Sequence, residues 1–547
     1  MMNRNTLLPP RMICRFVAIV MALLMAVSMT AMAEVHVEGL PIVDEPIVLT
    51  GAAYQTSFQN DVTDTVVLQE FAEASGVKIQ FQNIPSSDAA TQLSLMLASG
   101  EVPDVLFKMG VSTADQARYT EQGMFVALSD YAEYCPNLME WLDKYPTQKL
   151  AVTLPDGKIY GAPYILAGDA IRMSTKMWFN TDLMEKVGYE AIPTTLDGLY
   201  EYLNTIKDYD YNGNGQADEI PLTAGSIGDI INVLSGSFGL MNRGSAHSNV
   251  YVDDEGVLQF AYDSDHYREL LKFVSKLYAE GLLDQDIFSN ETNHLITKCS
   301  TGRGLTYCYV NNSPVSNSDY EQYTLGFTEP FEGYNGEKQY TMYSLPSSSA
   351  GQFLVTYKCV EKGEEYVKAA IRWMDHWYTE EGIIAYFMGI EGVSYEKDEN
   401  SPGGLKLTDE ILNDPEGRPF GEVLAKYCTW TGGRNPSVAT NEYFKGGETW
   451  PVCLDAVEGL INYIPEEVWG PFGAFYTTEE TAEMGQLKTD IDTYHSEWRA
   501  NIIVGNLDVN DDAVWAEYVA GFDGVGLPRY MELYRKGAES YAAEMAE

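Results

Sequence analysis

The fold is decided by the stretch that begins with Ile47-Val-Leu-Thr-Gly51 and ends with Val105-Leu-Phe107. Both segments are short apolar runs typical of buried strands, and Val77-Lys-Ile-Gln-Phe81 between them alternates apolar and polar residues as a strand does. The residues from Val66 to Ser75 and from Asp88 to Leu97 carry apolar side chains at helical spacing. Strands that alternate with helices in units of this length predict an α/β fold with a largely parallel sheet.

Two positions at the ends of these strands are candidate ligand contacts. In open parallel sheets, ligands bind outside the carboxyl ends of the strands. Tyr54 follows the first strand, and the loop from Lys108 to Ser112 follows Val105-Leu-Phe107. Tyr54 and Lys108 are therefore predicted as ligand contacts from their positions at the strand ends and not from their chemistry.

The composition is that of a globular and strongly acidic protein. The 547 residues are enough for two or three domains, and 45% hydrophobic with 21% charged residues argues against a disordered chain. The 80 acidic and 35 basic residues give a formal net charge of −45. A nucleic-acid backbone or an anionic membrane surface would repel such a chain, so neither is expected as a partner.

The first 33 residues are predicted to be a secretory signal peptide. Arg4, Arg11 and Arg15 precede an apolar run from Phe16 to Val27, and the A-x-A site Ala31-Met-Ala33 predicts cleavage after Ala33. No later run approaches the length that spans a bilayer, so the mature chain is expected to be a soluble protein outside the cytoplasm.

Six cysteines remain after the predicted cleavage. None forms a CxxC pair, and the histidines lie far from them in the chain, so a zinc site is not expected. Disulfides are permitted outside the cell, but the sequence does not choose among the many pairings, and buried thiols are equally compatible with it. The six are Cys135, Cys299, Cys308, Cys359, Cys428 and Cys453.

A cluster of oxygen-bearing side chains occupies the stretch Asp208-Tyr-Asp-Tyr-Asn-Gly-Asn-Gly-Gln-Ala-Asp-Glu219. Calcium takes six to eight oxygen ligands on a tightly curled backbone. The calcium-loop pattern D-x-[DN]-x-[DN]-G fits from Asp208, with its turn at Gly213, and again from Asp210, with its turn at Gly215. The residues alone leave both registers open, and an ordinary Asn-, Asp- and Gly-rich turn without a metal is the alternative.

Several further motifs follow one another in a specific order. They are Ser99-Gly-Glu-Val-Pro-Asp-Val-Leu-Phe107, Lys158-Ile-Tyr-Gly-Ala-Pro-Tyr164, Trp178-Phe-Asn-Thr-Asp-Leu183, Pro193-Thr-Thr-Leu-Asp197, Asn212-Gly-Asn-Gly-Gln-Ala-Asp-Glu-Ile-Pro221, Ala369-Ala-Ile-Arg-Trp-Met-Asp375 and Trp515-Ala-Glu-Tyr518. In this order they resemble the extracellular solute-binding proteins (family 1) of carbohydrate ABC importers, in the branch that includes alginate-binding and maltose-binding proteins. The resemblance extends from about Pro46 to the C-terminus.

The resemblance implies a periplasmic-binding-protein type II fold, in which hinge crossovers join two α/β lobes and a ligand cleft lies between them. It divides the chain into the signal peptide (1–33), an N-terminal lobe (34–165 plus 345–400) and a C-terminal lobe (166–344 plus 401–547) that carries the calcium loop. Such a protein changes shape at its hinges when it closes on a ligand.

Three crossings between the lobes are implied, near Tyr164–Arg172, Leu345–Ala350 and Gly392–Gly404. The implied function is the capture of a carbohydrate, an oligosaccharide, by a monomeric protein that delivers it to the permease subunits of an ABC transporter. A lipobox cysteine, usual in secreted Gram-positive homologues, does not follow the apolar run. A Gram-negative periplasm and a Gram-positive exterior therefore both remain open.

The candidate sugar contacts combine aromatic rings with polar groups, as ligand pockets do. Beside the two residues at the strand ends, two candidate contacts come from the first crossing and two from the Gly-rich segment Ser237–Gly244. Two more come from the stretch Thr429-Trp-Thr-Gly-Gly-Arg-Asn435. Trp430, flanked by polar residues and glycine, is the predicted stacking platform, whereas Trp373 and Trp377 are predicted to pack in the core. The full set is Tyr54, Lys108, Tyr164, Arg172, Phe238, Asn242, Trp430 and Arg434.

An enzyme and an adhesion protein are the alternatives. A secreted glycoside hydrolase needs two carboxylates at a set separation, and nothing marks such a pair. The motifs G-x-S-x-G and H-E-x-x-H are absent, as are the repeats of an adhesion protein. The charge of the sugar stays open, because the acidic chain disfavours an anionic ligand while Arg172, Arg243 or Arg434 would accept one.

The resemblance also selects one register of the calcium loop. By analogy with the alginate-binding proteins, a structural Ca²⁺ is expected on Asp210, Asn212, Asn214, Gln216, Asp218 and Glu219, with Asp208 outside the ligand set. In this interpretation the ion braces the second lobe and does not touch the sugar.

Overall fold

The computed structural model describes residues 34–546 apart from residues 60, 174, 311–323, 346–348, 402, 419, 432 and 441–450. The predicted signal peptide and its cleavage site lie outside the described residues. The strands are β1 (Ile47–Gln55), β2 (Val77–Pro85), β3 (Val105–Phe107), β4 (Ala162–Leu166), β5 (Thr175–Asn180), β6 (Ile220–Ala224), β7 (Val250–Val252), β8 (Leu258–Phe260), β9 (Gly304–Val310), β10 (Thr324–Gly326), β11 (Ser349–Val355), β12 (Tyr395–Lys397), β13 (Leu405–Leu407) and β14 (Val438–Ala439).

Two main sheets organise the chain. The first has the strand order β14-β4-β11-β3-β1-β2, and all its strands run in one direction except β11. The second has the order β10-β5-β9-β6, with only β5 running against the others. This arrangement confirms the predicted α/β fold with largely parallel sheets. The strands β7-β8 and β12-β13 form two separate hairpins.

Helices separate the strands. They are α1 (Val66–Ser75), α2 (Ala89–Ser99), α3 (Thr113–Thr120), α4 (Pro136–Lys144), α5 (Pro146–Val152), α6 (Asp169–Arg172), α7 (Thr181–Lys186), α8 (Leu196–Ile206), α9 (Ile227–Ser235), α10 (Asp265–Ala279), α11 (Thr292–Ser300), α12 (Tyr357–Lys362), α13 (Glu364–Asp375), α14 (Glu380–Met388), α15 (Asp409–Leu412), α16 (Phe420–Leu424), α17 (Pro451–Leu460), α18 (Thr478–Ile503), α19 (Asp512–Gly524) and α20 (Leu527–Glu544). Local sequence fixes several of their starts. The hydroxyl of Thr195, for example, accepts a hydrogen bond from the Gly198 amide and caps α8.

The chain passes between the two sheets along one edge of each. It leaves the first sheet at the carboxyl end of β4 and enters β5, whose first residue, Thr175, pairs with Val310 at the carboxyl end of β9. It returns into the amino end of β11, which lies at the same edge because β11 is antiparallel to its neighbours. The carboxyl edges of both sheets therefore adjoin the crossings, where the rule for open α/β sheets places a ligand.

The third crossing lies later in the chain than predicted. The stretch Gly392–Gly404 contains the hairpin β12-β13, so its glycines lie beside and within a hairpin and not at a hinge. The carbonyls of Lys426 and Tyr427 accept hydrogen bonds from the first two residues of α1, and β14 pairs with β4 in the first sheet. Residues 420–431 and 433–439 thus stay on the first sheet, and the prediction that the second lobe resumes at residue 401 is wrong.

The core of the first sheet is aromatic. Trp373 and Trp377 on and beyond α13 are at most 2% exposed, and their ring centroids lie 5.5 Å apart. Trp373 also stacks against Phe353 of β11 at 5.8 Å. Both tryptophans pack in the interior as predicted, since ring contacts of this kind add to the burial of large apolar areas.

All six cysteines of the described chain are buried and reduced. Of the two possibilities that the sequence left open, disulfides or buried thiols, the structure has the second. Burial is the main cause that raises the pKa of the thiols of Cys135, Cys299, Cys308, Cys359 and Cys453, that of Cys359 to about 12. Such thiols stay protonated at neutral pH and act as small apolar side chains.

Candidate functional site

The candidate site lies along the carboxyl edge of the first sheet. The ends of β1 and β3 meet there, and the chain between α16 and β14 crosses above them. The amide of Ile165 in β4 donates a hydrogen bond to the Ser437 carbonyl, and the Ser437 hydroxyl donates one to the carbonyl of Trp377, just after α13, so Ser437 is anchored to a strand and to a helical layer. We refer to residues 429–431 and 433–437 as the rim segment.

Arg434 is the centre of this edge. Its guanidinium lies over the ring of Tyr54, 4.6 Å from the ring centroid, and Nη1 donates to the Met109 carbonyl at 2.9 Å. Gly110 lies against this guanidinium, and its φ of 68° is a backbone conformation that favours glycine. Arg434 itself has a φ of 57°, an uncommon conformation for a residue with a side chain. Tyr54 and Arg434, predicted from different parts of the sequence, are thus brought together.

Trp430 lies four residues before Arg434 on the rim segment. Its half-buried ring stacks nearly parallel to that of Phe420, with centroids 6.2 Å apart and an interplanar angle of 16°. The ring is therefore supported on one side by a second aromatic ring. This arrangement suits a stacking platform, as the sequence predicts.

Lys108 is not a surface ligand contact. It is fully buried, and its ammonium donates to the carbonyls of Thr429 and Thr431, the latter at 3.0 Å. Burial lowers its pKa to about 7. The prediction that Lys108 touches a ligand from solvent is therefore wrong, because the amine is used inside the protein to hold the residues on either side of Trp430.

Tyr164 and Arg172 lie at the first crossing. The half-buried ring of Tyr164 stacks on Phe387 at 6.1 Å. The guanidinium of Arg172 lies 4.8 Å from the ring centroid of Tyr343, donates to the Tyr343 hydroxyl and pairs with Asp169. Tyr164 therefore remains a candidate contact, while Arg172 is already engaged by a carboxylate.

Phe238 and Asn242 are structural residues in the second lobe. Phe238 is 3% exposed and packs towards Phe273. The side chain of Asn242 exchanges two hydrogen bonds with the backbone of Val252, at 2.7 and 2.9 Å, and so fixes the hairpin β7-β8. The glycines around both residues misled the prediction, since they shape a packed turn and not a binding loop.

Sequence reasoning missed an aromatic and charged cluster beside the crossings. The Tyr343 hydroxyl accepts a hydrogen bond from the guanidinium of Arg172, and the Tyr343 carbonyl accepts one from the Ser245 amide. Close by, Arg243 lies over Trp469, 5.3 Å from the ring centroid, and pairs with Glu467 at 3.6 Å. The sequence contains a pattern that could have indicated this cluster. Trp469 lies between acidic residues and Gly470-Pro471, a context similar to that of Trp430.

The loop after α8 folds around the oxygen-bearing side chains that the sequence singled out. The carboxylate of Asp210 accepts hydrogen bonds from the backbone amides of Asn214 and Gly215, at 3.1 and 2.9 Å. The side-chain oxygen of Asn212 also accepts a hydrogen bond from the Asn214 amide. The carboxylate of Glu219 accepts the amides of Tyr211 and Asn212. The turn at Gly215 is thus closed by Asp210 and not by Asp208.

The loop is anchored to the second sheet. Arg303, next to β9, pairs with the carboxylate of Asp218 at 3.0 Å and donates to the Asp218 carbonyl. The Asn214 amide group also donates to Asp218 at 3.0 Å. Within the described ranges, no three His, Cys, Asp or Glu side chains gather closely enough to hold a metal ion. An ion in this loop would therefore need the Asn and Gln oxygens in addition to the three carboxylates.

The described residues include no helix with the combined length and apolar character of a membrane span.

Comparisons with known proteins agree with this architecture. Residues 53–292 match the family model of the bacterial extracellular solute-binding proteins. The fructooligosaccharide ABC transporter substrate-binding protein FusA of Streptococcus pneumoniae is 27% identical over 502 residues, which cover 88% of each chain. The structure of S. pneumoniae FusA in complex with kestose is 25% identical, with a TM-score of 0.72, and the match covers 91% of this chain and 100% of that one.

Two further structures are similar. A solute-binding protein from Bifidobacterium longum infantis, described as binding HMO, has a TM-score of 0.73 at 19% identity over 90% of this chain and 98% of that one. The alginate-binding protein AlgQ2, solved without calcium ion, has a TM-score of 0.64 at 20% identity over 89% and 97% of the two chains. At these identities the likeness concerns the fold.

Two sheets that meet along their carboxyl edges, with three chain crossings between them, define a two-lobed ligand-binding protein. Over residues 53–292 the chain is similar to the bacterial extracellular solute-binding proteins, and its fold is the periplasmic-binding-protein fold that the motif order implies.

Proposed function

We propose that this protein captures an oligosaccharide outside the cytoplasmic membrane and delivers it to the permease of an ABC transporter. The observation that carries the proposal is the joint placement of Arg434, Tyr54 and Trp430 at the carboxyl edge of the first sheet. Aromatic faces suit the C–H faces of sugar rings, and a guanidinium supplies hydrogen-bond donors for hydroxyl groups. The sugar-binding relative FusA supports the same function.

The proposed ligand is a neutral oligosaccharide. Asp169 pairs with Arg172, and Glu467 pairs with Arg243, so two of the three candidate guanidinium groups already have a carboxylate partner. Arg434 instead contacts an aromatic ring and a carbonyl group. One such cation suits hydroxyl groups better than the repeated carboxylates of a uronic-acid chain, which the net charge of −45 would also repel.

The hydrolase alternative is not supported. The relatives are substrate-binding proteins of ABC transporters and not enzymes. Two of the candidate polar residues are held by structural partners: Arg172 by Asp169, and Lys108 by two carbonyls. A glycoside hydrolase would instead place two carboxyl groups on opposite sides of the scissile bond.

We also propose that the loop after α8 holds a structural Ca²⁺ on Asp210, Asn212, Asn214, Gln216, Asp218 and Glu219. In calcium loops of the EF-hand kind, the first ligand is followed five residues later by the glycine of the sharp turn. The hydrogen bond from the Gly215 amide to Asp210 has this spacing, which supports the register that starts at Asp210. An EF-hand mutant of FusA has also been solved. Calcium would supply charge neutralisation and a fixed loop, remote from the rim segment.

The predicted signal peptide and the monomeric state complete the proposal. A monomer that diffuses between sugar and permease agrees with the two-lobed architecture. Closure of the lobes on the sugar would create the surface that the permease recognises, as a shift between two conformations.

Calorimetry tests the ligand class. The mature protein is titrated with kestose and with an alginate or polygalacturonan trisaccharide, at two salt concentrations. We expect the neutral sugar to bind at least about tenfold more tightly, a difference of about 1.4 kcal/mol. Tighter binding of the acidic trisaccharide, with affinity that falls as salt increases, would contradict the neutral assignment.

A further inference from the structure

We infer that Lys108 is a positioning residue for the ligand, because it holds the rim segment in the conformation that presents Trp430 and Arg434. The inference rests on the proposed function, since it assumes that these two residues contact the sugar. Lys108 itself does not touch the ligand. It acts through the backbone on either side of Trp430.

The contact between Lys108 and the rim segment is direct and enclosed. The amine donates to the carbonyls of Thr429 and Thr431, which flank Trp430 in the chain. The side chain is 0% exposed, and the backbone of Lys108 has a φ of 59°, so the residue departs from the strand direction immediately after β3. The Lys108 amide donates to the Gln352 carbonyl of β11 at 2.6 Å. The amine is thus held from the sheet side and points into the rim segment.

Residues 109 and 110 add a second contact to the same segment. The Met109 carbonyl accepts a hydrogen bond from the Arg434 guanidinium, and Gly110 lies against this guanidinium. Three consecutive residues at the carboxyl end of β3 therefore hold Trp430 through the backbone and Arg434 through its side chain. A change at Lys108 would release the rim segment on one side and leave the Arg434 contact in place.

An amine at this position has a specific physical reason. Buried carbonyl groups need donors, and the carbonyls of Thr429 and Thr431 lie inside the protein. The charged and titratable groups that face Lys108 are the Cys428 thiol and the Arg434 guanidinium. Burial is the largest effect and lowers the pKa of Lys108. Cys428 raises this pKa, Arg434 lowers it, and the resulting pKa is about 7. The contact therefore changes from charge-assisted to neutral within the physiological range of pH.

The test compares the affinity of Lys108→Met for kestose with that of the wild-type protein, measured by calorimetric titration. Methionine fills a similar volume but donates no hydrogen bond, so we expect the affinity to fall about tenfold or more with near-native circular dichroism. Lys358→Met, which removes an exposed lysine paired with Glu361, is the matched control and should bind as the wild-type protein does. Lys108→Met affinity within twofold of wild type would overturn the inference.

A pH profile provides a second measurement that does not require the variant to fold. The wild-type affinity should be highest below pH 7 and should weaken about threefold by pH 8.5, because charge-assisted hydrogen bonds are stronger than neutral ones. Lys358→Met should show the same profile, and Lys108→Met a flat one. A flat profile in the wild-type protein would overturn the positioning role. Absence of any sugar binding by the wild-type protein would instead contradict the proposed function.

Discussion

Chelation of calcium from the native protein is expected to lower its melting temperature by on the order of 10 °C. A ligand present at about 1,000 times its Kd stabilises the folded state by about 4 kcal/mol. In a domain of about 200 residues, each kcal/mol corresponds to a few degrees. The loop carries Asp210, Asp218 and Glu219 close together in the chain, so their mutual repulsion without the ion adds to the loss.

Single substitutions locate the ion. Asp210→Ala removes the carboxylate that closes the turn at Gly215, and it should abolish the response to chelator. Asp208→Ala is the matched control two residues earlier, and it should respond as the wild-type protein does. Differential scanning fluorimetry with and without EDTA measures both. An equal response in the two variants, or no response in the wild-type protein, would contradict the calcium assignment.

Removal of the Trp430 ring is expected to weaken sugar binding about 30-fold or more. Aromatic anchors of this kind contribute about 2 kcal/mol or more at well-packed contact positions. Trp430 is backed by Phe420, so its ring is already ordered and little entropy is lost on binding. The variant Trp430→Ala should therefore lose affinity while its melting temperature changes little, because the ring is only half buried.

Trp430→Phe is the control for this prediction. It keeps a flat apolar face over Phe420 and should retain most of the affinity. Calorimetry with kestose measures both variants. If Trp430→Ala binds within twofold of the wild-type protein, or if Trp430→Phe loses as much affinity as Trp430→Ala, the ring is not the stacking platform.

The fold could be predicted because its signals are local. Apolar runs such as Ile47–Thr50 and Val105–Phe107 have few conformations that bury them, and they became β1 and β3. The third crossing could not be predicted, because β14 has only two residues and its place depends on pairing with β4. The stretch at residues 392–404, which contains glycine, serine and proline, resembled a hinge more than β14 resembled a strand.

The candidate site could be predicted only in part. Tyr54 and Arg434 were found separately, from strand topology and from an aromatic and Gly-rich context, but nothing in the sequence shows that they stack. Lys108 was misplaced because lysine is usually exposed, whereas its burial here depends on carbonyls that lie 321 and 323 residues away in the chain. Phe238 was misplaced because neighbouring glycines indicate a loop without showing what packs against it.

The central claim is that an oligosaccharide binds between the carboxyl edges of the two sheets and closes the lobes without being cleaved. Small-angle X-ray scattering of the mature protein, with and without saturating kestose, tests it most directly when the sugar is recovered and analysed afterwards. We expect a smaller radius of gyration in the presence of the sugar and intact kestose at the end. An unchanged radius of gyration together with hydrolysis products would contradict the claim.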